Sequence, residues 1–216
     1  HKEYRRQRQM CIRDRGIPSS LMSAYMAIIS ILLNKFMSGF GEAAVAAYTV
    51  GSQLEAITWN TTEGLQIGIA AMVGQNYGAG LFDRVRESIK KSFKIVFIIG
   101  LISTLVLFIF RYPLFKLFVP SDKETIELGA TYLAILSMSQ IFLSTEIGLT
   151  GAFNGLGDTK TPARIAIFFD TMRIPFSLLF MPIFGVAGVW LAMTVTSICK
   201  GVLVGILLRK KVKGKF

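Results

Sequence analysis

From residue 17 onward the chain falls into six long apolar runs joined by short polar connections, at about 17–37, 43–73, 91–112, 126–150, 163–182 and 185–208. A helix needs about 20 mostly apolar residues to cross the hydrocarbon of a bilayer. The first run opens with Pro18, placed where a missing N–H costs a helix least. The third is the plainest, reading IVFIIGLISTLVLFIF at its centre, and the second is the most polar. The runs are continuous and do not alternate in sidedness, so the pattern predicts helices and not barrel strands. The fold expected is an all-α membrane protein with six transmembrane helices.

Composition agrees: 52% of the 216 residues are apolar and 17% charged, against about 45–50% and about 25% in soluble domains. A soluble α/β enzyme, a disordered tail and a disulfide-stapled secreted domain all fit poorly. The formal net charge is +11, but the cations flank apolar runs instead of covering one face of a soluble domain, which argues for a bilayer and against nucleic acid. Arg84, Arg86, Lys90, Lys91, Lys94, Lys160, Arg164, Arg209, Lys210, Lys211, Lys213 and Lys215 fall on one side, whereas Lys35, Arg111, Lys116 and Lys123 fall on the other. By the positive-inside rule the first group, and with it the C-terminus, is expected in the cytoplasm of a multi-pass plasma (inner) membrane protein. Cys11 and Cys199 make neither a metal motif nor a disulfide framework, and His1 is the single histidine.

Residues 1–15, HKEYRRQRQMCIRDR, hold six Lys/Arg, two acids and no apolar periodicity. They read either as a basic linker or as a non-native stretch, since RRQRQMCIRDR resembles translated adapter read-through. The segment is set aside, leaving 16–216 as the folding unit.

An ionisable group in mid-membrane costs at least about 2.5–3.5 kcal/mol on insertion scales, so each is a candidate for function. Glu55 and Glu63 lie about 80° apart around the second helix, with Trp59 between them and Asn60 and Gln66 nearby. Two readings stay open: a helix lining a water-filled cavity, or polar contacts packed against a neighbour. Asp170 and Arg173 are spaced to pair within the fifth helix. Glu146 has no partner in its own helix, and Lys200 reads as a structural lysine able to snorkel towards the interface. The apolar runs offer no His pair, Ser/His dyad or acid cluster, so neither enzyme chemistry nor a metal or organic cofactor is expected.

Two glycine-rich connections follow the second and fourth runs. Val73-Gly74-Gln75-Asn76-Tyr77-Gly78-Ala79-Gly80 resembles the VGQNxGAG signature of multidrug and toxin extrusion (MATE) transporters. Gly151-Ala152-Phe153-Asn154-Gly155-Leu156-Gly157-Asp158-Thr159 with Pro162 resembles their GAxxGxGDTxxP turn, and Arg173-Ile174-Pro175 also fits. The resemblance covers about Gly16 to the end and implies the carboxyl-terminal lobe, helices seven to twelve, of a two-lobe DinF/NorM-like efflux protein. It implies export of amphipathic or cationic organic compounds in exchange for H⁺ or Na⁺, and an amino-terminal lobe as partner. In the NorM-like branch, acids on the seventh and tenth helices share a cation site. Here the first run has no Asp or Glu, and Glu146 is displaced from the usual acidic position. A lipid-linked sugar or polysaccharide flippase of the same superfamily is the alternative; more Arg and Lys would be expected in its cavity. The pathway candidates are Glu55, Trp59, Asn60, Glu63, Gln66, Glu146, Asp170 and Arg173.

Overall fold

The computed structural model describes residues 17–215, with side chains from 24 to 214; the segment 1–15 lies outside the described residues. The described residues form helices and no strand: α1 (Ile17–Ser38), α2 (Glu42–Gly78), α3 (Phe82–Ile109), α4 (Arg111–Phe118), α5 (Lys123–Ser137), α6 (Gln140–Gly155), α7 (Lys160–Phe184) and α8 (Val186–Lys215). Among them α3, α7 and α8 are long and apolar enough to cross a membrane, and α5 with α6 makes a fourth span if the pair, bent by 51°, is taken as one. The sequence expectation was six. The described apolar part of α1 is short, and α2, though 37 residues long, is diluted by Gln53, Glu55, Asn60, Glu63 and Gln66.

Helix bounds also depart from the apolar runs. The third run is two helices, because the chain turns at Phe110 and continues as the amphipathic α4. The fourth breaks at Met138 and Ser139. Polar helix ends explain the rest: α2 runs on through Gln75, Asn76 and Tyr77, and α3 starts at Phe82, well before its apolar stretch.

Both glycine motifs build the same helix end. Ala79, Gly80 and Leu81 donate their backbone N–H groups to Gln75, Tyr77 and Asn76, and Leu156, Gly157 and Asp158 donate theirs to Ala152, Asn154 and Phe153. Gly80 and Gly157 hold the left-handed residue at φ 72° and 77°, which a Cβ would penalise. The following helix of the second motif is capped by Asp158, whose Oδ1 accepts from the Thr161 N–H at 3.1 Å. Asp122 caps α5 in the same way through Glu124 and Thr125.

Helix α6 is the axis of the molecule, packing on α2, α3 and α8, while α7 and α8 form a tight hairpin. Two apolar cores result. One gathers Leu33, Met37, Ala47, Tyr132, Leu133 and Trp190, with the Tyr132 and Trp190 rings edge to face at 5.4 Å. The other gathers Val73, Val85, Val96, Phe153, Val204 and Leu208. Along α2, α6 and α8 the intervening turns carry Glu55, Gln140, Glu146 and Lys200, so a polar belt lies between the cores. The outside of α3 exposes Phe93, Phe97, Ile98, Ile102 and Phe108, an apolar surface suited to lipid and not to water.

Candidate functional site

The belt contains two arrangements. The first centres on Glu55. Gly51, one turn earlier on α2, lies close against the Tyr132 ring where a Cβ would collide, and this close approach lets the Tyr132 hydroxyl donate to Glu55 Oε2 at 2.7 Å. Gln140, the first residue of α6 after the bend, donates from Nε2 to Glu55 Oε1 at 2.5 Å. Glu55 forms one wall of a cavity of about 280 Å³ shared with Ser52, Trp59, Ser139, Arg173 and Ser197. Leu136, Leu143 and Met193 complete it. A carboxylate, an indole that is 44% exposed and several hydroxyls thus share one apolar-walled hollow. That combination can hold an organic cation by charge and by the ring face.

The second arrangement is a buried quartet of charges. Lys200 Nζ lies 3.6 Å from Glu146 Oε2 and 3.4 Å from Asp170 Oδ1, and Asp170 Oδ1 lies 3.3 Å from Arg173 Nη2. Arg173 Nη2 also donates to Ser197 Oγ at 3.3 Å. Two anions and two cations sum to zero, the condition under which ions persist away from water; removing one partner of such a pair typically costs about 3–5 kcal/mol. Glu146 Oε2, Arg173 Nε, Gln140 Oε1 and Ser144 Oγ are buried and make no hydrogen bond. Arg173 belongs to both arrangements and connects the quartet to the cavity.

The expected Asp170–Arg173 pair is therefore present, and Glu55, Trp59 and Arg173 meet at one hollow. Glu63 does not join them: it is exposed, as is Asn60, and neither lines the cavity. The 80° offset turns Glu63 away while Glu55 is drawn in by Tyr132 and Gln140. Gln66 is half-buried where its backbone meets Gly151 of α6. Lys200 does not snorkel; it is 4% exposed, held by two carboxylates. Glu146, without a partner in its own helix, is buried and paired with Lys200 of α8. Tyr132 and Gln140 were missed because each looks ordinary within an apolar run; only their helix partners give them a role.

Outside the belt, Asp158 accepts from Thr161 Oγ1 at 2.7 Å and from the Lys211 ammonium, which also sits 5.6 Å from the Phe153 ring centre. Partial burial pushes the Asp158 carboxyl up, but the bonds from Lys211 and Thr161 outweigh it and hold the pKa at about 2. Among the described residues no group of three His, Cys, Asp or Glu is gathered for a metal ion.

The MatE family model matches residues 18–179. The chain is similar to the multidrug export protein MepA of Staphylococcus aureus, 26% identical over 187 residues, covering 85% of this chain and 41% of MepA. It is also similar to the probable multidrug resistance protein YoeA of Bacillus subtilis, 24% identical over 153 residues, covering 71% of this chain and 33% of that protein. The chain thus spans less than half the length of these relatives. In three dimensions it resembles the MATE transporter VcmN of Vibrio cholerae in its bent form, with TM-score 0.82, 23% identity, 91% of this chain and 45% of that one. It also resembles a MATE family multidrug resistance transporter in an inward-facing conformation, with TM-score 0.85, 20% identity, 94% of this chain and 47% of the other. The all-helical architecture is that of a single lobe of these transporters. With its family model running from the first turn of α1 through most of α7, the chain belongs to the MatE family of multi-pass membrane transport proteins.

Proposed function

We propose that this chain is one lobe of an efflux antiporter that exports amphipathic or cationic organic compounds in exchange for H⁺ or Na⁺, working with an amino-terminal lobe and without enzymatic chemistry. The observation that carries the reading is Glu55: a carboxylate oriented by Tyr132 and Gln140 at the wall of an apolar hollow, beside an exposed Trp59. Two of the named relatives are multidrug export or resistance proteins, which supports the substrate class. In this scheme Glu55 and Trp59 receive the organic cation. The quartet behind them exchanges the coupling ion through Glu146 and Asp170, whose charge Lys200 and Arg173 balance. The flippase alternative gains nothing from the cavity, since its cation, Arg173, is already held by Asp170.

The test uses a transporter that contains both lobes. Glu55→Gln keeps the size and the hydrogen-bonding oxygen but removes the charge. Export of a cationic dye is expected to fall about tenfold, the loss of roughly 1.4 kcal/mol of charge-assisted binding, while export of a neutral dye is unchanged. Equal export of both dyes at matched membrane abundance would reduce Glu55 to a packing role.

A further inference from the structure

A second hollow, larger than the Glu55 cavity and on a different face of α6, has no part in that scheme. It has a volume of about 1040 Å³ and lies between α3 and α8, with α6 as its floor. Helices α3 and α8 both pack on α6 but have hardly a contact with each other, so the space between them is open from the side. Gly201 allows α8 to settle directly on the Phe142 backbone, where a Cβ would collide. That closeness makes the floor continuous. The walls are aromatic and aliphatic, including Phe93, Phe97, Phe142 and Ile206.

The charge at the two ends of this groove is unequal. Lys90 on α3 and Arg209 and Lys213 on α8 stand at one end, all exposed. Arg86 stands with them, already engaged by Asp83 at 3.9 Å. The nearby carboxylates are turned away: neither Asp83 nor Glu87 lines the groove, and Glu87 is paired with Lys91 at 2.7 Å. From Lys90 to Phe97, or from Arg209 to Gly201, the groove descends about 10–12 Å at roughly 1.5 Å per residue. One rim of cations above a deep, open-sided apolar slot matches a molecule with an anionic head and a hydrocarbon tail.

We propose that this groove is a binding site for an anionic glycerophospholipid, its phosphate between Lys90, Arg209 and Lys213 and one acyl chain along Phe93, Phe97, Phe142 and Ile206. Basic pockets between transmembrane helices at a membrane surface bind acidic head groups in this way. The site does not depend on the transport reading, since it shares no residue with the Glu55 cavity or the quartet. It places the lipid against α6, the helix that also carries Gln140 and Glu146.

Native mass spectrometry of the purified full chain decides the matter, with dioleoyl phosphatidylglycerol and dioleoyl phosphatidylcholine as probes. Phosphatidylglycerol is expected to bind at least tenfold more tightly than phosphatidylcholine. The triple variant Lys90→Gln, Arg209→Gln, Lys213→Gln, confirmed to keep the parent's helicity, is expected to lose that preference while retaining phosphatidylcholine binding. Glycerol phosphate at millimolar concentration is expected not to displace phosphatidylglycerol, because the groove takes the chain as well as the head. Gly205→Leu, which fills the slot without touching a charge, is expected to weaken both lipids. Equal affinity for the two lipids, an unchanged preference in the triple variant, or displacement by glycerol phosphate would each overturn the proposal.

Discussion

Asp158 ties the turn after α6 to the first turn of α7 and to the last turns of α8, through Thr161 and Lys211. Because its carboxyl is held at about pKa 2, below an unfolded value of about 3.9, it stabilises the fold above about pH 5. That contribution fades as the pH falls from about 4 towards 2. The side chain remains 20% exposed, so screening trims the effect to about 1–2 kcal/mol. Asp158→Asn is therefore expected to lower the unfolding temperature at pH 7, with the gap between parent and variant about halved at pH 3. Thermal unfolding by circular dichroism at both pH values checks this, and a gap independent of pH would remove the ion pair from the account. At this scale the sequence was informative wherever a residue is unusual for its surroundings. Glu55, Glu146, Asp170 and Arg173 stand out in apolar runs because charge is costly there. Their partners were not legible, since Tyr132 lies 77 positions from Glu55 and Lys200 lies 30 from Asp170. Which face of a helix meets which neighbour is decided by packing and not by spacing.

Between elements, the contact of α2 with α6 rests on backbone proximity. Gly155 presses on the Ala70 carbonyl and Gly74, and Gly151 presses on Gln66, a pair of small residues one turn apart of the kind that lets membrane helices approach closely. Gly155→Ala puts a methyl group into backbone that cannot rotate away, and a loss of about 1–3 kcal/mol is expected. Gly78 belongs to the companion motif and also ends a helix, yet nothing lies within 4 Å of its absent Cβ. Gly78→Ala is expected to be neutral or stabilising by up to about 1 kcal/mol. Chemical denaturation in detergent distinguishes the two; a similar cost for both would mean that glycine acts here through the unfolded chain. The sequence placed both turns correctly because glycine, asparagine and aspartate mark helix ends. It set the neighbouring boundaries too narrowly, since the polar first turns of α3 and the polar last turns of α2 carry no hydrophobic signal. The break at Ser139 was likewise invisible, as the run is apolar on both sides of it.

For the molecule as a whole, the distribution of cations predicts an orientation: by the positive-inside rule the basic ends of α3, α7 and α8 are expected on the cytoplasmic side, and Ser38 and Ser121 on the other. With Cys11 and Cys199 replaced by serine, single cysteines at Ser38 or Ser121 are expected to react with an impermeant maleimide on intact cells. One at Thr159 is expected to react only after permeabilisation, and the reverse pattern would invert the orientation. All three positions are exposed in the fold, so reactivity reports sidedness and not burial. The quartet of Glu146, Asp170, Arg173 and Lys200 also bears on how the chain is made. Each of α6, α7 and α8 carries at least one ion that lipid opposes by about 2.5–3.5 kcal/mol when it stands alone. The charges cancel only across helices, so Lys200, on the last of these three segments to leave the ribosome, finds its counter-ions on the two synthesised before it. The cheapest route into the bilayer is joint entry, with α6 and α7 held at the insertion machinery until α8 arrives. The same electrostatics that fill the middle of the lobe thereby link its biogenesis to the order of its helices.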